Sequence, residues 1–289
     1  MAPSTTSASG MAGERSPLGI IAGGGPFPGQ VARAATAAGR PVFIVALEGF
    51  ADGRVVGPYP HATARMGAAG RILTLLREAR CQDLVVVGPV KRPSMLDLRP
   101  DAEGVRLLAR IGRAAFGGDD GLLAAVLRVL GEEGFRVLGA HEILTEALAP
   151  AGLLTPAAPD AAAQADIARG LAVIRALGAA DVGQACVVQQ GIVLAVEAVE
   201  GTDAMLARAA ALARPGPGGV LVKFAKPGQD RRADLPAIGP DTVRAAVAAG
   251  LRGIAFEAGG TLLADAEAIT ATAREAGLFL LGTTMEKTS

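Results

Sequence analysis

Apolar residues in this chain fall in short runs separated by stretches of helical period. The run LGIIA (18–22) ends in GGGPFP, and from about Pro28 to Ala38 the apolar positions recur as on one helix face, with Gly39 placed to cap the C-terminus. PVFIVAL (41–47) predicts a second strand. Between 68 and 79, Ile72, Leu75, Leu76 and Ala79 share a helical face, and DLVVVG (83–88) predicts a third strand. Helices over about 104–115 and 120–131 follow, then FRVLGAHEIL (135–144) as a last strand and turn. Strands alternating with helices in this way predict a parallel sheet covered on both sides.

The segment ALAPAGLLTPAAPD (147–160) holds three prolines and no periodicity, which predicts a connection between domains. Beyond it, Asp160 is placed to cap a helix with Ile167, Leu171, Ile174 and Leu177 on one face. The alternation then resumes: strands QACVVQQ and IVLAVEA, a helix from Thr202, strand VLVKFA, a polar loop, a helix from about Pro240, strand GIAFEA, a helix from about Asp265, and strand LFLLG. The fold class is therefore α/β, with two α/β domains joined by a linker, the N-terminal one Rossmann-like with a mainly parallel sheet. Residues 17–148 form the first domain, 149–159 the linker and 160–289 the second domain, which carries the polar loop. Residues 1–16 are small and polar, lack the apolar core of about 7–15 residues that a signal peptide needs, and read as a disordered extension with Met11 as an alternative start. Ligand is expected in the cleft between the domains and at the carboxyl ends of strands.

Composition narrows the function. Lys plus Arg number 28 and Asp plus Glu 28, a balance without the basic footprint of non-specific nucleic-acid binding. No apolar stretch reaches the ~18 residues of a membrane span, so a soluble chain is expected. The two cysteines, Cys81 and Cys186, form no CxxC pair, and the only histidines are His61 and His141. A disulfide framework and a thiolate or His-rich metal centre are therefore not indicated, and a reducing cytoplasm is the default. Any metal is expected to be Mg²⁺ or Mn²⁺ on oxygen ligands.

Two regions of the first half have chemical potential. Gly23, Gly24 and Gly25 join a buried strand to a helix, where backbone N–H groups approach a phosphate, although Pro28 breaks the GxGxxG pattern. Glu48, at the end of the second strand, stands where a ribose-binding acid is expected, with an ordinary surface Glu as the alternative. GPVKRP (88–93) places Lys91 and Arg92 at the same sheet edge as anion ligands or as a plain basic turn. Asp119–Asp120 read first as helix-dipole partners, and His141, beside Glu142, as a lone satisfied histidine.

In the second half, VLVKFAKPGQDRRADLPAIG (220–239) contains two of the chain's four lysines, Lys223 and Lys226, followed by Asp230, Arg231, Arg232 and Asp234. Cations beside fixed carboxylates suit phosphoryl chemistry, and the competing reading is a solvated, salt-bridged loop. EGTDAML (200–206) starts a helix with Thr202 as its expected N-cap and Asp203 in its first turn; Glu197 and Glu200 are candidate metal ligands.

The ordered series IAGGGPFP, GPVKRP, GDDGLL, EGFRVLGAHEIL, GIVLAVEAVEGTDAML and VKFAKPGQDRRADLPAIGPDTV resembles the LpxI family, the UDP-2,3-diacylglucosamine diphosphatases of lipid A biosynthesis. The resemblance covers about residues 18–283, and EGTD-x-ML and KP-x-QD-x-R-x-DLP-x-IG are its specific parts. It implies a cytoplasmic, Mg²⁺-dependent enzyme with its active site between two domains, cleaving UDP-2,3-diacylglucosamine to UMP and 2,3-diacylglucosamine 1-phosphate (lipid X). Asp234 carries over as the catalytic carboxylate; Lys226, Asp230, Arg232, Thr202 and Asp203 carry over as motif members, and Lys223 joins them as a substrate ligand. The metal ligands are not implied. Lys91 departs from the small or polar residue usual there. An acylated substrate implies peripheral contact with the inner membrane, and a homo-oligomer stays open. The alternatives are a nucleotide-dependent oxidoreductase, suggested by the glycine turn and Glu48, and a non-catalytic two-domain nucleotide-sugar binding protein.

Overall fold

The computed structural model describes residues 15–91, 98–112, 119–232 and 234–285. In the first domain the short apolar runs become β1 (Leu18–Ala22), β2 (Val42–Leu47), β3 (His61–Ala64), β4 (Asp83–Val87) and β5 (Arg136–Leu138). They form one all-parallel sheet in the order β3-β2-β1-β4-β5, with Leu18 opposite both Val42 and Asp83. The helices are α1 (Phe27–Ala37), α2 (Gly53–Val56), α3 (Ala69–Glu78), α4 (Ala102–Ile111), α5 (Asp119–Glu132) and the short α6 (Ala140–Ile143). One face of the sheet packs Leu76, Leu84, Leu107 and Leu127 from α3, β4, α4 and α5; the other packs Val31 and Leu144 against Ile20, Ile44 and Val85. Strand order reverses between β1 and β4, so their carboxyl ends flank the crevice where open α/β sheets take ligands.

The second sheet is mixed. Its strands are β6 (Gly152–Leu153), β7 (Ala185–Gln189), β8 (Ile192–Val196), β9 (Val220–Lys223), β11 (Gly253–Glu257) and β13 (Phe279–Thr283), in the order β6-β13-β11-β9-β7-β8. β9, β11 and β13 run parallel, whereas β6, β7 and β8 are antiparallel to their neighbours. β10 (Ala237–Ile238) and β12 (Leu262–Leu263) form a separate parallel pair. α7 (Ala161–Ala179) contributes Ala163, Ile167 and Ile174 to the core on one face. The other face takes Met205 and Leu206 of α8 (Thr202–Ala210), Val243 and Ala246 of α9 (Pro240–Ala248), and Ile269 and Ala273 of α10 (Ala266–Glu275). Asp160 caps α7 by accepting from Ala163 N at 2.8 Å, as its position before the apolar period predicts.

Segment 149–159, expected as a linker, is stitched into the second domain. Ala149 N donates to Thr261 O at 2.9 Å, Gly259 N donates to Ala149 O at 2.8 Å, and β6 pairs Leu153 with Leu281. Thr155 Oγ1 accepts from Leu280 N at 3.0 Å. The two domains also share a core: Leu235 and Leu262 pack among Ile20, Phe27 and Leu144, and the Gln30 side chain donates to Ala264 O. Among the described residues no helix is long and apolar enough to cross a membrane.

Candidate functional site

The carboxyl edge of the second sheet gathers most of the polar residues singled out above. Lys223 ends β9 and pairs across to Ala185, while Cys186 pairs with Val196, so Glu197 emerges one residue beyond β8 at the same edge. Gly201, at φ +80°, turns the chain into α8. The N-cap is therefore Gly201 and not Thr202, because the Thr202 hydroxyl is engaged elsewhere: it donates to Glu197 Oε1 at 2.6 Å and accepts from Lys223 Nζ at 2.6 Å. Asp203 lies exposed in the first turn, as expected. Glu200 is held by Arg208 at 2.5 Å, which occupies it as an ion-pair partner.

The loop after β9 is laced by ion pairs. Lys226 Nζ lies 2.5 Å from Asp181 Oδ1, Arg232 pairs with Asp230 at 2.7 Å, and Arg231 pairs with Glu257. The Arg232 guanidinium holds the Asp230 carboxyl below the usual carboxylate range, with burial opposing it. Asp234 is exposed, and the Gln229 amide donates to its Oδ2 at 3.4 Å. Gln229 also accepts from Lys226 N at 3.1 Å, so it braces both ends of the turn. The backbone of Arg232 passes close to the first domain: a Cβ on Gly139 would lie 3.3 Å from Arg232 Cα. The loop thus abuts the first domain near α6, where Glu142 accepts from Gly139 N at 2.7 Å.

In the first domain the glycine turn sits at the strand-order reversal, but its amides are largely spoken for. Gly23 N donates to Val87 O and Gly24 N to Pro89 O, each at 2.9 Å. A Cβ on Gly23 would stand 2.4 Å from Gly88 O, so the glycines serve a close backbone crossing between the β1 and β4 loops. Gly25, at φ +72°, completes the turn. Lys91 is exposed; Arg92 lies outside the described residues, as do the side chains of Asp119 and Asp120.

The thiols stay protonated: burial pushes Cys81 up to about 11 and Cys186 up to about 12. Among the described residues no three His, Cys, Asp or Glu side chains converge as a metal cage. Sequence reasoning missed Asp181 and Glu257. Glu257 had a signal, since it closes a strand parallel to β9 and so falls at the same edge; Asp181, after the end of α7, had none.

An all-parallel domain docked on a mixed-sheet domain, with polar side chains gathered where strands end, is the architecture of a two-domain α/β enzyme. Family models for the LpxI N-terminal domain and the LpxI C-terminal domain match residues 17–147 and 150–281. A protein of Caulobacter vibrioides named UDP-2,3-diacylglucosamine pyrophosphatase LpxI is 45% identical over 271 residues, covering 92% of this chain and 96% of that relative. The chain belongs to the LpxI family and is a hydrolase of a diphosphate bond.

Proposed function

We propose that this protein hydrolyses the diphosphate of UDP-2,3-diacylglucosamine, yielding UMP and 2,3-diacylglucosamine 1-phosphate, in a Mg²⁺-dependent reaction of lipid A biosynthesis. The observation that carries this reading is the similarity to the Caulobacter enzyme, which runs through both domains and not only through one sheet. Asp234 is the residue assigned to the water: exposed on the loop beyond β9, it accepts the proton as the water oxygen bonds to phosphorus and the P–O–P bond breaks. Lys223, Thr202 and Asp203 belong to the edge that meets the diphosphate, and Lys226, Asp230 and Arg232 hold the loop in shape through their ion pairs. Arg92 is assigned to the nucleotide side, and Gly23–Gly25 to shaping the turn beside it, since the Gly23 and Gly24 amides already bond Val87 O and Pro89 O.

The donor set fits Mg²⁺ only in its phosphate-bound mode. The exposed carboxylate of Asp234, together with diphosphate oxygens, matches a hard cation that usually takes one or two protein carboxylates and keeps water. Bound there, Mg²⁺ would offset charge on the diphosphate. The acyl chains place the encounter at the cytoplasmic face of the inner membrane. The test is incubation of the purified chain with UDP-2,3-diacylglucosamine and Mg²⁺ and identification of products. UMP and the 1-phosphate are expected; intact substrate with a stable complex would leave a binding protein.

A further inference from the structure

The loop cations Lys226, Arg231 and Arg232 each face a carboxylate. Among the described residues Lys223 faces none, although it is only 6% exposed. Its ammonium donates to Thr202 Oγ1 at 2.6 Å, and among the described residues it is through that hydroxyl that it meets the carboxylate of Glu197, 7% exposed. A hydroxyl has one proton, and here it points at Glu197 Oε1, so the direction of the chain is set: ammonium to hydroxyl to carboxylate. Glu197 Oε2 is buried without a hydrogen-bond partner among the described residues. Such an oxygen is costly unless its charge is used.

The backbone around Glu197 is bonded and closely packed. Glu197 N donates to Ala185 O at 2.8 Å, and its carbonyl lies so near Gly183 that a Cβ there would sit 2.0 Å from the oxygen. A buried ammonium and a buried carboxylate each offset the other's charge, and here the Thr202 hydroxyl stands between them. Interposing a hydroxyl keeps the countercharge near while one of three N–H donors is spent and two remain for a ligand.

We propose that Glu197 is a positioning residue, which acts through Thr202 to hold the Lys223 ammonium aimed at the substrate's diphosphate. This rests on the hydrolase reading only for the identity of the anion. The experiment uses the full chain as wild type, E197Q, T202V, T202S and E197Q/T202V. Hydrolysis of UDP-2,3-diacylglucosamine is followed in parallel with calorimetric binding of inorganic diphosphate, which needs no turnover.

E197Q and T202V are each expected to lower kcat/KM by about 30-fold and diphosphate affinity by about 10-fold. The double variant is expected to be no worse than T202V, and T202S to recover to within about threefold of wild type, because it restores the hydroxyl alone. Thermal unfolding monitors the fold of each variant. Wild-type values in E197Q, additive losses in the double variant, or T202S as impaired as T202V would overturn the relay. Loss of folding in E197Q that T202V does not share would assign Glu197 to stability and overturn it too. A wild type that binds diphosphate without hydrolysing the lipid would sink the proposed activity, yet the binding series would still decide the relay; failure to bind diphosphate overturns it.

Discussion

Lys226 Nζ and Asp181 Oδ1, 45 residues apart in sequence, meet at 2.5 Å and tie the loop after β9 to the chain just beyond α7. The Lys226 side chain is 10% exposed, so the contact fixes the loop's position and not merely its surface charge. Lys226→Ala and Asp181→Ala are therefore expected to lower kcat/KM by similar amounts, on the order of 10-fold, with the double variant no worse than either. Steady-state kinetics on the four proteins checks this. A loss confined to Lys226→Ala would mean that the ammonium touches phosphate directly.

Asp234→Ala is expected to lower kcat by about 10³-fold while leaving substrate affinity within a few-fold, since a proton acceptor acts mainly in the transition state. The side chain is exposed, and Leu235 and Pro236 beside it are buried, so thermal stability should hardly change. UMP release and substrate binding are measured at one Mg²⁺ concentration. Comparable turnover in the variant removes Asp234 from the chemistry.

Chelation should abolish turnover, and Mg²⁺ should restore it without altering the circular dichroism or the melting temperature. A metal held by substrate phosphates, with no prebuilt cage among the described residues, has no structural role to lose. Full activity after exhaustive EDTA treatment would contradict the requirement.

Gly23→Ala is expected to destabilise by about 3 kcal/mol, because its methyl meets the Gly88 carbonyl, backbone that has little freedom to retreat. Gly53→Ala, where an added Cβ meets nothing within 4 Å, is the control and should stay within about 0.5 kcal/mol. Urea unfolding of both variants gives the comparison.

Asp83 supplies a pH test. Arg136 at 2.7 Å, with Arg40 at 2.6 Å, holds its carboxyl below the usual 3.8 against the opposing effect of burial. A depressed folded-state value means the stabilisation is complete above about pH 4 and is lost as pH falls through the depressed value. Asp83→Asn should cost about 2–3 kcal/mol at neutral pH and flatten the acid limb of the stability curve. Denaturant midpoints from pH 2 to 7 in both proteins test the sign; an unchanged acid limb would show that other carboxylates govern it.

The alternation of apolar runs was enough to read β1, β2, β4 and both domains, because each buried parallel strand needs an unbroken apolar stretch. β3 carries no such signal, since His61-Ala-Thr-Ala is an edge strand with only Ala64 buried. The two-residue strands β6, β10 and β12 are too short to carry a period at all. Lys223 and Thr202 could be nominated from their places after a strand and before a helix. Their shared proton chain with Glu197 could not, because it depends on the antiparallel register of β7 with β8 and β9.

β6 also bears on how the protein survives dissection. It covers the outer edge of β13, and Pro150, next to it, runs so close to Gly282 that a Cβ there would stand 1.9 Å from the Pro150 carbonyl. A fragment beginning at Asp160 would strip that cover and leave Leu281 and its neighbours as an open apolar edge, a template for strand addition between copies. Aggregation, before any question of catalysis, is the fate expected of such a fragment. One that starts three residues before β6, at Ala149, carries its own edge protection.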